Sequence, residues 1–365
     1  MPQDRYWETS QDAGEGFRQQ SRAHSCPRSK GRQNLMAQKP KLAMYWASSC
    51  GGCEIALVNL HEKILAVDGA LDFVFCPCLL DTKKKDLEAM PDKGIAVTLF
   101  NGAIGTSENE EMAHLLRRKS QLLLAMGACS WQGGIPALSN FQHRKECLAA
   151  IYRQGPSLAN PAGILPGIKT KVPEGELDLP ALFDSVKALD RVVEVDYFVP
   201  GCPPEQHQIW NIVEALIEGK ALPPKGSVLG AGTSTVCEEC KREKNDKKIA
   251  RFYRTYELQP DPELCLLEQG IACMGVATRD GCGALCPQVN MPCVGCYGPP
   301  EGVFDQGAKM VAALGSVLDL GKYPGMTEHQ VGQKADAVWD SLPDCAGTFY
   351  KFSAAGSILK GRSSR

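Results

Sequence analysis

The stretch Tyr45–Leu60, YWASSCGGCEIALVNL, sets Cys50 and Cys53 where an apolar extended run gives way to a helical one. A pair at this spacing suits a disulfide, a zinc clip, a redox dithiol or half of a metal-cluster site. Nothing inside the stretch separates these readings; the chain around it does.

Up to about residue 225, short β-rich runs alternate with amphipathic segments. KLAMYWASS (41–49), LDFVFCPCLL (71–80), IAVTLFNGAI (95–104), QLLLAMGACS (121–130) and RVVEVDYFVPG (191–201) read as strands, several of them apolar on both faces. Helices are expected between them. Leu57, Val58, Ile64 and Leu65 mark the apolar face of the first; Ile209, Ile212, Val213, Leu216 and Ile217 mark that of the last. This alternation predicts an α/β fold, an open and mostly parallel sheet with helices on its faces. The Gly- and Pro-rich stretch 156–180 reads as an irregular insertion before the last strand.

Beyond residue 225 the rhythm stops. Eight cysteines fall within the sixty residues from Cys237 to Cys296, amid glycine and proline and with little periodicity. So few apolar residues make a poor core, and the segment is expected to need another organising element. The expected division is a disordered polar tail at 1–38, a sheet domain at 39–225, a cysteine-rich domain at 226–330 and a C-terminal extension at 331–365.

Composition limits the function. With 40 basic and 42 acidic residues among 365, the formal net charge is −2, and nucleic acid is an unexpected partner. No run of eighteen apolar residues reads as a membrane span. The first thirty-five residues lack the apolar segment of a secretory signal, so Met36 is an alternative start to Met1. A reducing, cytoplasmic location follows, in which seventeen cysteines favour metal or redox chemistry over disulfides.

Cys50 and Cys53 follow the first strand, Cys129 the fourth (GACSWQGGIP) and Cys202 the fifth (VPGCPPE). Ligands gather outside the carboxyl ends of an open parallel sheet, so these four thiols are expected at one edge. Four thiolates suit an iron–sulfur cluster, and Gly51, Gly52, Gly127 and Gly201 let backbone N–H groups approach it. Zinc stapling by the CxxC pairs is the alternative.

With these motifs together, CGGCE, GACSWQGGIPAL, PGCPP and the C-terminal cysteine ladder, the chain resembles the small subunit of a [NiFe] hydrogenase over about residues 41–315. The resemblance implies a flavodoxin-like domain followed by an irregular cluster-binding domain, three [4Fe–4S] clusters and a separate large subunit that activates hydrogen. It implies a proximal cluster at Cys50, Cys53, Cys129 and Cys202, a distal one at Cys237, Cys240, Cys265 and Cys273, and a medial one at Cys282, Cys293 and Cys296, with Cys286 as fourth ligand. Cys237 stands where membrane-linked members use histidine, and Cys286 where they lack a cysteine. Both features resemble the cytoplasmic viologen-reducing, F420-non-reducing type, whose acceptor is an iron–sulfur adaptor leading to a heterodisulfide-reductase-like flavin complex. F420-reducing, sulfhydrogenase and quinone-oxidoreductase subunits are the neighbouring families.

Other cysteines fall outside this inventory. Cys26 and Cys345 read as free thiols, Cys76 and Cys78 as packing at a strand end, and Cys147 as a small core residue on a helix. Glu54 suits either a helix-start charge or the subunit interface. His61 and His207 read as ordinary helix residues, since no histidine has a neighbour at ligand spacing.

Overall fold

The structure, a computed structural model, describes residues 39–319, 325–342 and 344–359. The tail with Cys26 and the alternative start at Met36 lies outside these residues. Five strands, β1 (Lys41–Trp46), β2 (Asp72–Phe75), β3 (Ile95–Asn101), β4 (Ser120–Met126) and β5 (Tyr197–Val199), pair in parallel in the order β2-β1-β3-β4-β5. That is the flavodoxin-like order, with its switch point between β1 and β3.

Successive strand residues face opposite sides. Leu42, Met44, Leu124 and Met126 enter one core with Leu57, Ile209, Ile212 and Val213. Ala43, Tyr45, Leu123 and Ala125 enter the other with Phe100, Met112 and Leu116. Both faces are covered, which is why the strands read as unbroken apolar runs. At the lower end of β5, Asp196 is fully buried, with Arg117 Nη1 and Lys225 Nζ each 2.6 Å from its carboxylate and Leu123 N–H donating at 2.8 Å.

The helices that flank the functional edge are short. α1 (Gly52–Val58) follows β1, α2 (Ser107–Lys119) precedes β4, α3 (Gly127–Gln132) follows β4 without a linker, and α4 (Gln206–Ile217) follows β5. In α4 Ile209, Ile212 and Val213 are buried, with Leu216 and Ile217 packed at the margin of the same core. The expected first helix is instead two pieces, α1 and Lys63–Ala70, separated by a turn with His61 at φ 54°. The two segments therefore present different faces: Leu57 is buried and Ile64 partly so, while Val58 and Leu65 are exposed. The 156–180 insertion contains a hairpin of Lys169–Val172 with Gly175–Asp178. Cys147 is corrected from core to a half-buried position: helix Arg144–Tyr152 fully buries none of its residues, and the thiol donates to Gln142 Oε1 at 3.8 Å.

The cysteine-rich segment contributes to a core that it does not build alone. Val236, Ile249, Phe252, Met274 and Ala277 pack with Met310 and Leu314 of α5 (Gln306–Val317), Val338 of α6 (Glu328–Asp340), Leu342 and Phe349. α6 runs across the boundary expected at 330, and the segment after Asp340 returns its apolar residues to the same core. The signal was missed because those residues come from helices outside the cysteine ladder. Residues from Lys39 onward form one unit, and among the described residues no helix is long and apolar enough to cross a membrane.

Candidate iron–sulfur centres

Beyond the carboxyl ends of β1, β4 and β5 the chain brings Cys50, Cys53, Cys129 and Cys202 together. Cys50 is exposed, Cys53 on α1 and Cys129 on α3 are buried, and Cys202 is half-buried and joined to Pro203 by a cis peptide. The Cys53 thiol points at Met126 O, 3.9 Å away. Burial raises the Cys53 and Cys202 thiols and pushes Cys129 up to about 12; the next cause for Cys129 and Cys202 is a neighbouring thiol of the same quartet. Such a group resists ionising unless a cation compensates it, and a coordinated metal does so outright. The donor set therefore fits an iron–sulfur cluster.

The backbone is shaped to the sulfurs. A Cβ on Gly127 (φ +84°) would stand 2.5 Å from Cys53 Sγ, and one on Gly134 (φ +54°) 2.5 Å from Cys129 Sγ. Only glycine fits both the left-handed backbone and the close approach. Gly127 was expected; Gly134 was not, although the double glycine after Trp131 marks a tight turn.

Glu54 lies inside, with 5% of its surface exposed, in the first turn of α1, where the helix-start reading placed it. Asn101 Nδ2 donates to both its carboxylate oxygens, at 2.9 and 2.7 Å, and to Ser49 Oγ at 2.9 Å. Burial raises the Glu54 carboxyl above its ordinary value, partly offset by the Asn101 bond. Asn101, at the end of β3, leaves its Oδ1 buried without a partner among the described residues. Sequence reading passed over it, though a polar residue closing an apolar strand at a switch point was the available signal.

A second group, Cys237, Cys240, Cys265 and Cys273, lines one pocket with Arg242, Lys244 and Leu266. A Cβ on Gly275 would come within 3.2 Å of Cys237 Sγ and 3.7 Å of Cys273 Sγ. Burial pushes Cys237 up to about 12, with Cys273 the next cause. The third group is Cys282, Cys286 and Cys296. Burial pushes Cys296 up to about 12, followed by Cys282, Cys202 and Cys286. Cys286 is exposed on the short helix Leu285–Gln288. Cys293 is buried between the groups: Cys273 is the thiol that affects it most, then Cys296.

Two contacts join the groups. The Cys202 and Cys296 thiols are neighbours, with the Glu205 N–H donating to the Tyr297 hydroxyl at 3.3 Å beside them, and the Cys293 N–H donates to Cys273 Sγ at 3.3 Å. The third group thus stands between the first and the second. Among the described residues no three metal-ligating side chains converge as a chelate for one ion; the four cysteines of the second group instead line a common pocket.

Charged side chains hold the loops, and sequence reading missed them. Arg242, almost fully buried, donates through Nε and Nη2 to Pro287 O (3.0 and 2.9 Å), through Nη1 to Asp261 O (2.7 Å) and Leu264 O (2.9 Å), and through Nη2 to Asn290 Oδ1 (2.6 Å). It ties together the loops bearing Cys240, Cys265 and Cys286. The Glu239 carboxylate accepts from Gly281 N–H and Gly283 N–H, each at 2.9 Å, on either side of Cys282. In a lysine- and arginine-rich run the default reading is a solvated face, and Arg242 is its buried exception. Of the remaining cysteines, Cys76 is in the core, Cys78 is exposed, and the Cys345 thiol donates to Leu342 O at 3.5 Å. His207 Nε2 is 3.2 Å from Gly281 O.

Residues 50–216 match the family model described as NADH ubiquinone oxidoreductase, 20 Kd subunit. The matched stretch contains the first cysteine group and excludes the other two. The chain is 41% identical over 302 residues to the iron-sulfur subunit of the F420-non-reducing hydrogenase of Archaeoglobus profundus, covering 79% of this chain and 94% of that protein. It is 35% identical over 327 residues to a subunit of the F420-non-reducing hydrogenase of Methanothermobacter marburgensis, covering 89% and 97%. Among solved structures, a chain of an NAD+-reducing [NiFe]-hydrogenase in the H2-reduced state is 29% identical, with a TM-score of 0.43 and coverage of 51% of this chain and 96% of that one. With relatives matched along nearly their whole length, the chain belongs to the family of iron–sulfur small subunits of F420-non-reducing hydrogenases, a branch of the [NiFe] hydrogenase small subunits.

Proposed function

We propose that this chain is the electron-transferring subunit of a cytoplasmic hydrogenase, relaying electrons from a hydrogen-splitting large subunit to an iron–sulfur adaptor and a heterodisulfide-reductase-like flavin complex. Cys50, Cys53, Cys129 and Cys202 would hold a proximal [4Fe–4S] cluster, Cys282, Cys286, Cys293 and Cys296 a medial one, and Cys237, Cys240, Cys265 and Cys273 a distal one. The observation that carries the reading is the spatial order of the three cysteine groups, set by the neighbouring Cys202 and Cys296 thiols and by the Cys293 N–H bond to Cys273 Sγ. Bound clusters supply one-electron chemistry at potentials tuned by hydrogen bonds to sulfur and by burial. The polypeptide's part is to exclude water from Cys53, Cys129 and Cys293, to aim N–H groups at sulfur, and to fix the loops through Arg242 and Glu239.

Around the exposed Cys50, Trp46, Ile55, Val58 and Ile135 expose apolar surface, as a permanent subunit interface requires. The large subunit would dock there. The test is anaerobic purification of the chain with its co-expressed large subunit. About twelve irons per chain, four per cubane, and brown absorbance bleached by dithionite are expected. A colourless preparation containing zinc overturns the proposal.

A further inference from the structure

The geometry points to a redox-active dithiol at Cys76 and Cys78 that exchanges with low-molecular-weight disulfides, separate from the twelve cysteines assigned to clusters. The two sulfurs are 3.5 Å apart, so closing to the ~2.05 Å of a disulfide takes about 1.5 Å of movement. Both belong to one tight turn, in which the N–H groups of Leu79 and Leu80 donate to Cys76 O at 2.9 and 2.8 Å. Pro77 occupies the second position of that turn, where its fixed φ is favoured. The turn is therefore organised before any bond forms.

The two thiols differ in the way an exchange site requires. Cys76 is 1% exposed and packs in the sheet core, whereas Cys78 is exposed on the turn beside the exposed Leu79. Packing accounts for Cys76 alone and leaves Cys78 unexplained. Burial pushes the Cys76 thiol up to about 12, with Cys78 the next cause, so the buried member keeps its proton until its neighbour has reacted. The accessible Cys78 is the attacking group and Cys76 the resolving one.

The step balances as thiol–disulfide exchange. The Cys78 thiolate attacks one sulfur of RS–SR, the S–S bond breaks, RS⁻ leaves and takes up the proton that Cys78 released. Cys76 then gives up its proton and its sulfur attacks the Cys78 sulfur, releasing the second RSH. The dithiol is oxidised by two electrons to the Cys76–Cys78 disulfide, and the small disulfide is reduced to two thiols. No cluster takes part, so the inference stands or falls independently of the electron-relay reading.

The assay uses the anaerobically purified complex, equilibrated across ratios of oxidised to reduced glutathione, quenched in acid and alkylated. The tryptic peptide Ile64–Lys83 contains these two cysteines and no others. The expected result is that both alkylation sites disappear together, leaving a peptide with an internal disulfide. In Cys76→Ala, glutathione should accumulate as a mixed disulfide on Cys78; in Cys78→Ser, Cys76 should remain alkylatable at every ratio. If both cysteines of the unmutated chain stay alkylated throughout, or if Cys78 keeps glutathione while Cys76 remains a free thiol, the inference is overturned. The unmutated chain alone decides this, so a variant that fails to fold does not protect it.

Discussion

Replacing Arg242 by methionine should empty the second cysteine group while leaving the first filled. The guanidinium makes five hydrogen bonds to four acceptors, three of them backbone carbonyls on the segments around Asp261, Leu264 and Pro287. Each bond to a charged donor contributes about 1.5–3 kcal/mol. Methionine keeps the apolar stem and loses all five. The groove bounded by Lys241, Glu263 and Gln288 admits water to part of the site, so the net loss is that of roughly two such bonds, about 3–6 kcal/mol. Domain stabilities are only about 5–15 kcal/mol, and the penalty falls on three loops with little regular structure. Iron per chain in the anaerobic complex should fall from about twelve to about eight, or lower if the Cys286 loop also loosens, counting four irons per cubane. Thermal unfolding should show an early transition that the unmutated complex lacks. Arg242→Lys, with a point charge that cannot span the fork, should fall between the two. Full iron content and an unchanged unfolding profile in Arg242→Met would refute the idea that this side chain organises the site.

Three further outcomes are expected. Gly134→Ala places a methyl 2.5 Å from Cys129 Sγ on a left-handed backbone, so it should cost about four irons per chain and leave the spectra of the other two groups. Cys286→Ala leaves Cys282, Cys293 and Cys296 at the proposed medial site, and electron paramagnetic resonance of the oxidised protein should show a three-iron signal; its absence would show that Cys286 is not a ligand. Burial alone would raise Asp196, but Lys225 and Arg117 hold it below its ordinary value. Its stabilisation is thus present above the unfolded carboxyl value of about 4 and lost as pH falls through the lower folded value. Asp196→Asn should destabilise by about 3 kcal/mol at pH 7, on the scale of a broken buried pair, and flatten the acid limb of stability measured by thermal unfolding.

The sheet was legible because its strands are buried on both faces, and a run such as Leu122 to Met126 has no other use for so many apolar residues. The first cysteine group was legible for a topological reason: parallel strands send their following loops to one edge, so Cys50, Cys53, Cys129 and Cys202 had to meet. Less could be read where contacts depend on long-range folding. Arg242 stands in a run of charges that looks solvated, and only the return of residues 261–290 makes it a buried hub. Asn101 and Glu54 are 47 residues apart and become partners only once β1 and β3 lie side by side. The core beneath the cysteine ladder comes from α5 and α6, which follow the ladder in sequence.

The order of the groups in space differs from their order in sequence, and this has a mechanical meaning. The chain leaves the sheet, builds much of the far group at Cys237 and Cys240, and then returns, so the last-made group, Cys282 to Cys296, lies in the middle. The return is held at both ends: the Cys293 N–H donates to the far group's Cys273, and Cys296 lies beside Cys202 at the sheet edge. Tyr297, fully buried, fixes the same turn, its hydroxyl donating to Gln208 Oε1 at 2.9 Å and accepting from Glu205 N–H at 3.3 Å on the segment that begins α4. The middle group is therefore held from both sides, by the sheet segment through Tyr297 and by the far group through Cys293, whereas the first group is built from sheet loops alone. Because all three groups lie within one unit, the spacing of the middle group from its neighbours is fixed by these contacts and not by a hinge between separate bodies.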